Sequence, residues 1–199
     1  MMTDKPVAAV ILAAGASSRM GRPKLLLPWG DGCVLDAVLE AVTAAPFDDA
    51  VVVTGAAAEQ VAAVSRRHGI RTCHNPDFAA GQSTSLRAGL DSLPPGRAAA
   101  FILGDQPLLT ADMLRRLLTA YAESEARLLQ PRSPDGQRGH PVLFAPELFA
   151  ELRAVQGDAG GRSVLQAHAA EIRFVEVPDG SCWQDLDTPE DYNRLRGRY

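Results

Sequence analysis

Four runs of the chain read as buried strands: VAAVILAA (7–14), AVVVT (50–54), AAAFIL (98–103) and IRFVEV (172–177). The first three are continuously apolar rather than alternating, the pattern of parallel strands covered on both faces. Between the runs, apolar residues recur three and four apart. Val34, Leu35, Val38, Leu39 and Val42 form one such series, Leu86, Leu90 and Leu93 a second, and Leu114, Leu117, Leu118 and Tyr121 a third. That spacing gives amphipathic helices. Strands alternating with helices predict an α/β chain on a mostly parallel central sheet.

From about Ala126 the texture changes. LLQPRSPDGQRGHPVLF carries three prolines and two glycines around short apolar pieces, which predicts strands joined by turns and a mixed second half. Helical signals return over 146–154, over 162–168 and at TPEDYNRL. There Thr188 can cap, Pro189 takes the first helical position and Asp191 completes a capping-box spacing. No repeat, low-complexity tract or linker interrupts the 199 residues, so a single domain (1–199) with a substantial core is expected.

A net charge of −4 with scattered basic residues argues against a nucleic-acid surface, which needs a basic stripe or patch. Cys33, Cys73 and Cys182 are widely spaced and form no C-x-x-C, so neither a disulfide framework nor a zinc site is indicated. Val7 to Ala14 is too short to span a membrane. A reducing, cytoplasmic location is the default expectation, with no membrane partner.

In an open parallel sheet, ligands bind beyond the carboxyl ends of the strands, so the strand exits are where chemistry is expected. At the first exit, Gly15 removes a side chain where the backbone turns, and Ser17, Ser18, Arg19 and Lys24 offer donors to an anion. The P-loop pattern fails, because five residues separate Gly15 from Gly21 and Leu25 follows Lys24; an ordinary βα loop is the alternative. At a second exit, FILGDQPLLT, Asp105 follows a buried strand, and Thr110 and Asp112 are better placed to start the next helix. Asp105 is therefore available as a hard oxygen ligand, which near phosphates implies Mg²⁺.

In QDLDTPEDY, Asp185 and Asp187 flank Leu186, so on an extended backbone both carboxylates share one side. Such a pair needs a cation between the acids or a separate donor for each. Asp187, nearer the turn, is preferred as a metal contact. Weaker groupings are AGQSTSLRAGL (80–90), RGHPVLF (138–144) and GDAGGRSVL (157–165). Each sets Gly beside Ser, Arg or His, which suits ligand approach and turns alike. Ser83 or Ser85 can simply cap the helix carrying Leu86, and His140 before Pro141 has a structural default in extended backbone. No Ser-His-Asp order or G-x-S-x-G elbow supports hydrolysis.

LAAGASSRMGRPK (12–24) resembles the signature L-A-[AG]-G-x-S-x-R-M-G-x-x-K of the MobA-like nucleotidyltransferases. GDQP, RGHPVLF, GDAGGR and DLDTPEDY then follow in the order of the branch containing molybdenum cofactor cytidylyltransferase, so the resemblance runs from Val7 to Tyr192. It implies a three-layer Rossmann-like fold with a small mixed-sheet region on the acceptor side, residues 1–125 being the nucleotide-binding half and 126–199 the acceptor-side half. It implies CMP transfer from CTP to the phosphate of molybdopterin, with release of pyrophosphate and Mg²⁺ as cofactor.

By the same resemblance Leu12, Ala13, Ala14, Gly15, Ser17, Ser18, Arg19, Lys24, Gly81, Ser83 and Ser85 bind the nucleotide. Arg19, Lys24 and Asp105 are catalytic, Asp105 and Asp187 hold the metal, and Gln106, Arg138, His140, Gly160 and Arg162 lie toward the acceptor. GTP-using members read L-A-G-G where this chain has Leu12 to Gly15, and a G-P-L-A-G-like segment where it has GQSTSL; both differences favour CTP. Gln82 and Thr84 depart from the usual pairing at that segment. The alternatives are guanylyl or other nucleotidyl transfer to a related phosphate, or a maturation factor that carries cofactor to a molybdenum hydroxylase apo-enzyme.

Overall fold

The computed structural model describes residues 5–17, 20–178 and 180–197. The first half runs β1 (Val7–Ala13), a hairpin of β2 (Pro28–Trp29) and β3 (Gly32–Cys33), α1 (Val34–Thr43), β4 (Asp49–Thr54), α2 (Ala58–Arg67), β5 (Arg71–His74), α3 (Gln82–Asp91), β6 (Ala98–Leu103) and α4 (Ala111–Ala122). The second half runs β7 (Leu128–Arg132), β8 (Val142–Phe144), α5 (Phe149–Ala154), α6 (Arg162–Ala167), β9 (Arg173–Glu176) and α7 (Pro189–Arg196). The hairpin, α2 and β5 are additions to the elements expected from the hydrophobic pattern.

One seven-stranded sheet in the order β5-β4-β1-β6-β8-β7-β9 holds the chain together. All neighbouring pairs are parallel except those made by β8, which runs antiparallel to both β6 and β7. The Pro- and Gly-rich region thus extends the central sheet rather than building a separate one.

Alternate residues of β1 serve opposite faces. Ala9, Ile11 and Ala13 pack with Val38 and Leu39 of α1, Val61 and Val64 of α2, Leu114 of α4 and Leu195 of α7. Val10 and Ala14 pack with Leu86 and Leu90 of α3, Leu152 of α5 and Val164 of α6. The result is a three-layer α/β arrangement, and it explains why the inner strands are apolar at every position.

Local signals set several boundaries. The Thr110 side chain accepts from the Met113 amide at 3.3 Å to start α4, and Thr188 and Asp191 form a reciprocal capping box at the head of α7. α1 is joined to α2 by Asp36, which accepts from Arg67 Nη2 at 2.8 Å and meets His68 Nε2 at 2.8 Å. Burial works against the Asp36 carboxylate, yet these partners and Cys33 hold its pKa down at about 2. No helix among the described residues is long and apolar enough to cross a membrane.

Candidate active site

The sheet changes direction at β1. The chain leaves β1 to build β4 and β5 on one side, then crosses to place β6 on the other, and a crevice opens at such a switch point. Leu12 is in register with Leu103, and the Gly104 amide donates to the Leu12 carbonyl at 3.1 Å. The two strand exits therefore face each other across a cavity of about 340 Å³. Leu12, Ala13, Ala14, Gly15, Ser17 and Lys24 of the first motif border it, with Gly81 and Ser85 at the start of α3 and Asp105 opposite. Ser18 and Arg19 lie outside the described residues.

Lys24 opens a short 3-10 turn (Lys24–Leu26) anchored by buried Leu25, and its amide donates to Ser17 Oγ at 3.1 Å. Its Nζ donates to Asp105 Oδ2 and, at 3.0 Å, to Asp187 Oδ1. Burial acts to lower the Lys24 pKa, but the adjoining Asp105 and Asp187 carboxylates outweigh it and the net shift is upward. The lysine is thus fully charged at neutral pH. Only 16% of the Lys24 and Asp105 side chains is exposed, so removing either partner leaves a poorly solvated charge behind.

The acids at 185 and 187 satisfy the second of the two arrangements open to such a pair, a separate donor for each. Leu186 between them is fully buried, and its amide donates to the Asp105 carbonyl at 3.1 Å. Asp187 goes to Lys24, whereas Asp185 Oδ1 accepts from Gln106 Nε2 at 2.7 Å. Enclosure of the Asp185 carboxyl, with Asp105 nearby, raises its pKa. Gln106 is 2% exposed and also donates to the Trp183 carbonyl at 3.0 Å. The residue expected on the acceptor side therefore stands behind the acid pair and borders neither cavity described here.

A second cavity of about 260 Å³ adjoins the first, with Leu12, Gln82 and Asp158 bordering both. Arg138, His140 and Arg162 line it over an apolar floor that includes Leu86, Phe101 and Phe144. The Arg138 guanidinium lies 4.8 Å above the centre of the Phe174 ring. Burial pushes the His140 pKa down to about 4, against the opposing pull of Asp105, so this imidazole is neutral near pH 7.

Gly160 has φ +54°, and a Cβ there would stand 2.6 Å from Gln82 Oε1; at Gly81, φ +114°, a Cβ would stand 2.5 Å from the Gly157 carbonyl carbon. These glycines let the start of α3 and the 157–162 loop close into the partition between the cavities. α3 is capped by Gly81, not by a serine. Ser83 is fully buried and borders neither cavity, while Ser85 Oγ accepts from Asn75 Nδ2 at 3.0 Å. Gln82, noted in the sequence only as a departure from the usual pairing, and Asp158, whose one sequence signal is its place inside GDAGGRSVL, border both cavities at this partition.

Among the described residues no three His, Cys, Asp or Glu side chains are grouped to hold a metal by themselves. Asp105 and Asp187 nevertheless turn hard oxygens toward one point, where the Lys24 ammonium now stands. Two carboxylates, with the rest of the shell left to water and phosphate, is a donor set that fits Mg²⁺.

Residues 9–172 match the family described as MobA-like NTP transferase domain. The chain belongs to this family. As a MobA-like transferase it is a nucleotidyltransferase. It is 32% identical over 200 residues to nicotine blue oxidoreductase of Paenarthrobacter nicotinovorans, covering 97% of this chain and 98% of that protein. It is 29% identical over 193 residues to molybdenum cofactor cytidylyltransferase of Escherichia coli K12, covering 96% and 95%. The crystal structure of Rv0371c from Mycobacterium tuberculosis H37Rv in complex with manganese has a TM-score of 0.84 at 32% identity, covering 98% of this chain and 100% of that one.

Proposed function

We propose that this MobA-like transferase moves CMP from CTP to the terminal phosphate of molybdopterin and releases pyrophosphate. The observation that carries the reading is a cavity bordered by the LAAG turn, Lys24 and Asp105 that adjoins, across Leu12, Gln82 and Asp158, a second cavity lined by Arg138 and Arg162. Residues 1–125 supply the nucleotide side and 126–199 the acceptor side, with Asp187 reaching back.

A phosphate nucleophile is already anionic near neutral pH, so the reaction needs alignment and charge neutralisation rather than a general base. Arg138 and Arg162 hold the acceptor's phosphate by charge, and neutral His140 offers hydrogen bonding without adding to that charge. Lys24, with Arg19, neutralises the leaving pyrophosphate as charge accumulates on it. Asp105 and Asp187 would hold Mg²⁺, which when bound supplies Lewis-acid neutralisation of phosphate oxygens. Ala14 borders the nucleotide cavity, and an alanine there restricts the turn more than a glycine would, which favours a pyrimidine over a purine.

The 32% identity to nicotine blue oxidoreductase favours a second reading, in which the cleft serves oxidoreduction. One fold hosts unlike chemistries, so the two are separated by assay. The purified chain is given molybdopterin, Mg²⁺ and each nucleoside triphosphate in turn. Pyrophosphate released with CTP supports cytidylyl transfer, and release with GTP alone supports guanylyl transfer. Consumption of a reduced nicotinamide without pyrophosphate supports the second reading. Tight molybdopterin binding without either supports a carrier for a molybdenum hydroxylase.

A further inference from the structure

We infer that Gln106 and Asp185 form a clamp that positions Asp187 against Asp105, and that neither touches the substrates. The inference rests on the reading of Asp105 and Asp187 as the metal-holding pair. Asp187 comes from an irregular stretch between a 3-10 turn (Ser181–Trp183) and α7, so no regular strand or helix fixes its side chain relative to Asp105. Besides the Lys24 ammonium that contacts both carboxylates, three hydrogen bonds tie together the segments that carry them. Gln106 Nε2 donates to the Trp183 carbonyl at 3.0 Å and to Asp185 Oδ1 at 2.7 Å, and the Leu186 amide donates to the Asp105 carbonyl at 3.1 Å. Both Gln106 partners are acceptors, which fixes the orientation of its amide.

The placement is economical in covalent terms. Gln106 is the residue after Asp105, and Asp185 stands two before Asp187, so the clamp joins the two acid-bearing segments immediately beside their carboxylates. Leu186, fully buried, is the pin on the other side. The Gln106 amide is 2% exposed and directed at main chain and carboxylate, so it has no donor left for an acceptor molecule. Asp185 needs only to accept a hydrogen bond. An asparagine oxygen does that as well as a carboxylate, whereas a metal ligand or a charge-based role needs the anion. Outer partners that orient metal ligands typically contribute about 10- to 100-fold to metal affinity.

The test is Mn²⁺ binding to the full-length chain without nucleotide, read as the free-ion signal in electron paramagnetic resonance, with circular dichroism and Tm recorded for each variant. Gln106→Met, which keeps the side-chain length and removes the donor, and Asp185→Ala are expected to weaken Mn²⁺ binding by about 10- to 100-fold. Asp185→Asn is expected to stay within about threefold of wild type, since it preserves the hydrogen bond. Unchanged Mn²⁺ affinity in folded Asp185→Ala, or equal losses in Asp185→Asn and Asp185→Ala, would overturn the clamp. Should Gln106→Met fail to fold, the comparison of Asp185→Asn with Asp185→Ala decides alone. Asp105→Asn separates the two ideas. If it leaves Mn²⁺ binding intact, the metal-pair reading falls and the clamp with it; if it abolishes binding while Asp185→Ala does not, only the clamp falls.

Discussion

Lys24 Nζ meets Asp187 Oδ1 at 3.0 Å across 163 positions of sequence, and the same nitrogen donates to Asp105. One ammonium thereby bridges the two acids proposed to hold Mg²⁺ and offsets one of their two charges, so in the free chain lysine and metal compete for the same oxygens. On the proposed function, nucleotide phosphates would relieve that competition by offering Lys24 a different anion.

Replacing Lys24 by Met should therefore have opposite effects on two measurements. Mn²⁺ affinity of the nucleotide-free chain should rise, because the competing ammonium is gone. Turnover should fall by roughly two to three orders of magnitude, the usual effect of losing one preorganised donor to a developing charge. A fall in both quantities would mean that the lysine orders the acids rather than standing in for the metal.

Asp105→Asn should lower kcat by about a hundredfold or more, with no recovery at saturating Mg²⁺. Near-normal turnover at high Mg²⁺ would remove Asp105 from the metal assignment.

The pH dependence of stability should carry a signature of His140. Its folded pKa is about 4, below the value of about 6.5 for an unfolded histidine. Above pH 6.5 the residue is neutral in both states and contributes no slope. As pH falls toward 4, the unfolded chain takes up a proton that the folded chain refuses. Stability drops through that window by roughly 3 kcal/mol from this group. In urea unfolding at pH 7.5 and pH 4.5, His140→Asn should show the smaller difference between the two pH values. Equal differences would contradict a buried, neutral imidazole.

Gly55, just past β4, supports the nucleotide loop from behind. A Cβ there would stand 2.4 Å from the Ala14 carbonyl oxygen and 2.8 Å from the Ala14 methyl. Gly55→Ala should displace the LAAG turn, raise KM for CTP and leave KM for the acceptor nearly unchanged, with stability reduced by about 1–3 kcal/mol. Parallel increases in both KM values would argue against a local effect on that loop.

Continuous apolar runs revealed β1, β4 and β6, and Thr188-Pro189 with Asp191 revealed the head of α7, because these signals lie within a few residues of one another. β5 went unseen because three of its four residues are Arg71, Thr72 and His74 at an exposed edge, and β2–β3 because each has only two residues. The lysine between two acids was not legible either. Its partners lie 81 and 163 positions away; the β1–β6 register brings Asp105 towards it, and the Leu186 amide on the Asp105 carbonyl brings Asp187. Gln106 was assigned to the acceptor side from its motif, but nothing in GDQP distinguishes a side chain facing a cavity from one folded back onto the segment carrying Asp185. Ser83 was a candidate cap until Gly81 took that place, its positive φ supplying a turn that serine adopts poorly.

The central claim is that the cleft joins CMP to a phosphate acceptor. It is tested most directly by following the α-phosphate label of CTP in the presence of molybdopterin and Mg²⁺. Label is expected to pass to a molybdopterin product in equal amount to the pyrophosphate released, and Asp105→Asn to slow both by about a hundredfold or more. Label remaining on CTP while the acceptor is bound, or transfer at a near-normal rate without the Asp105 carboxylate, would contradict it.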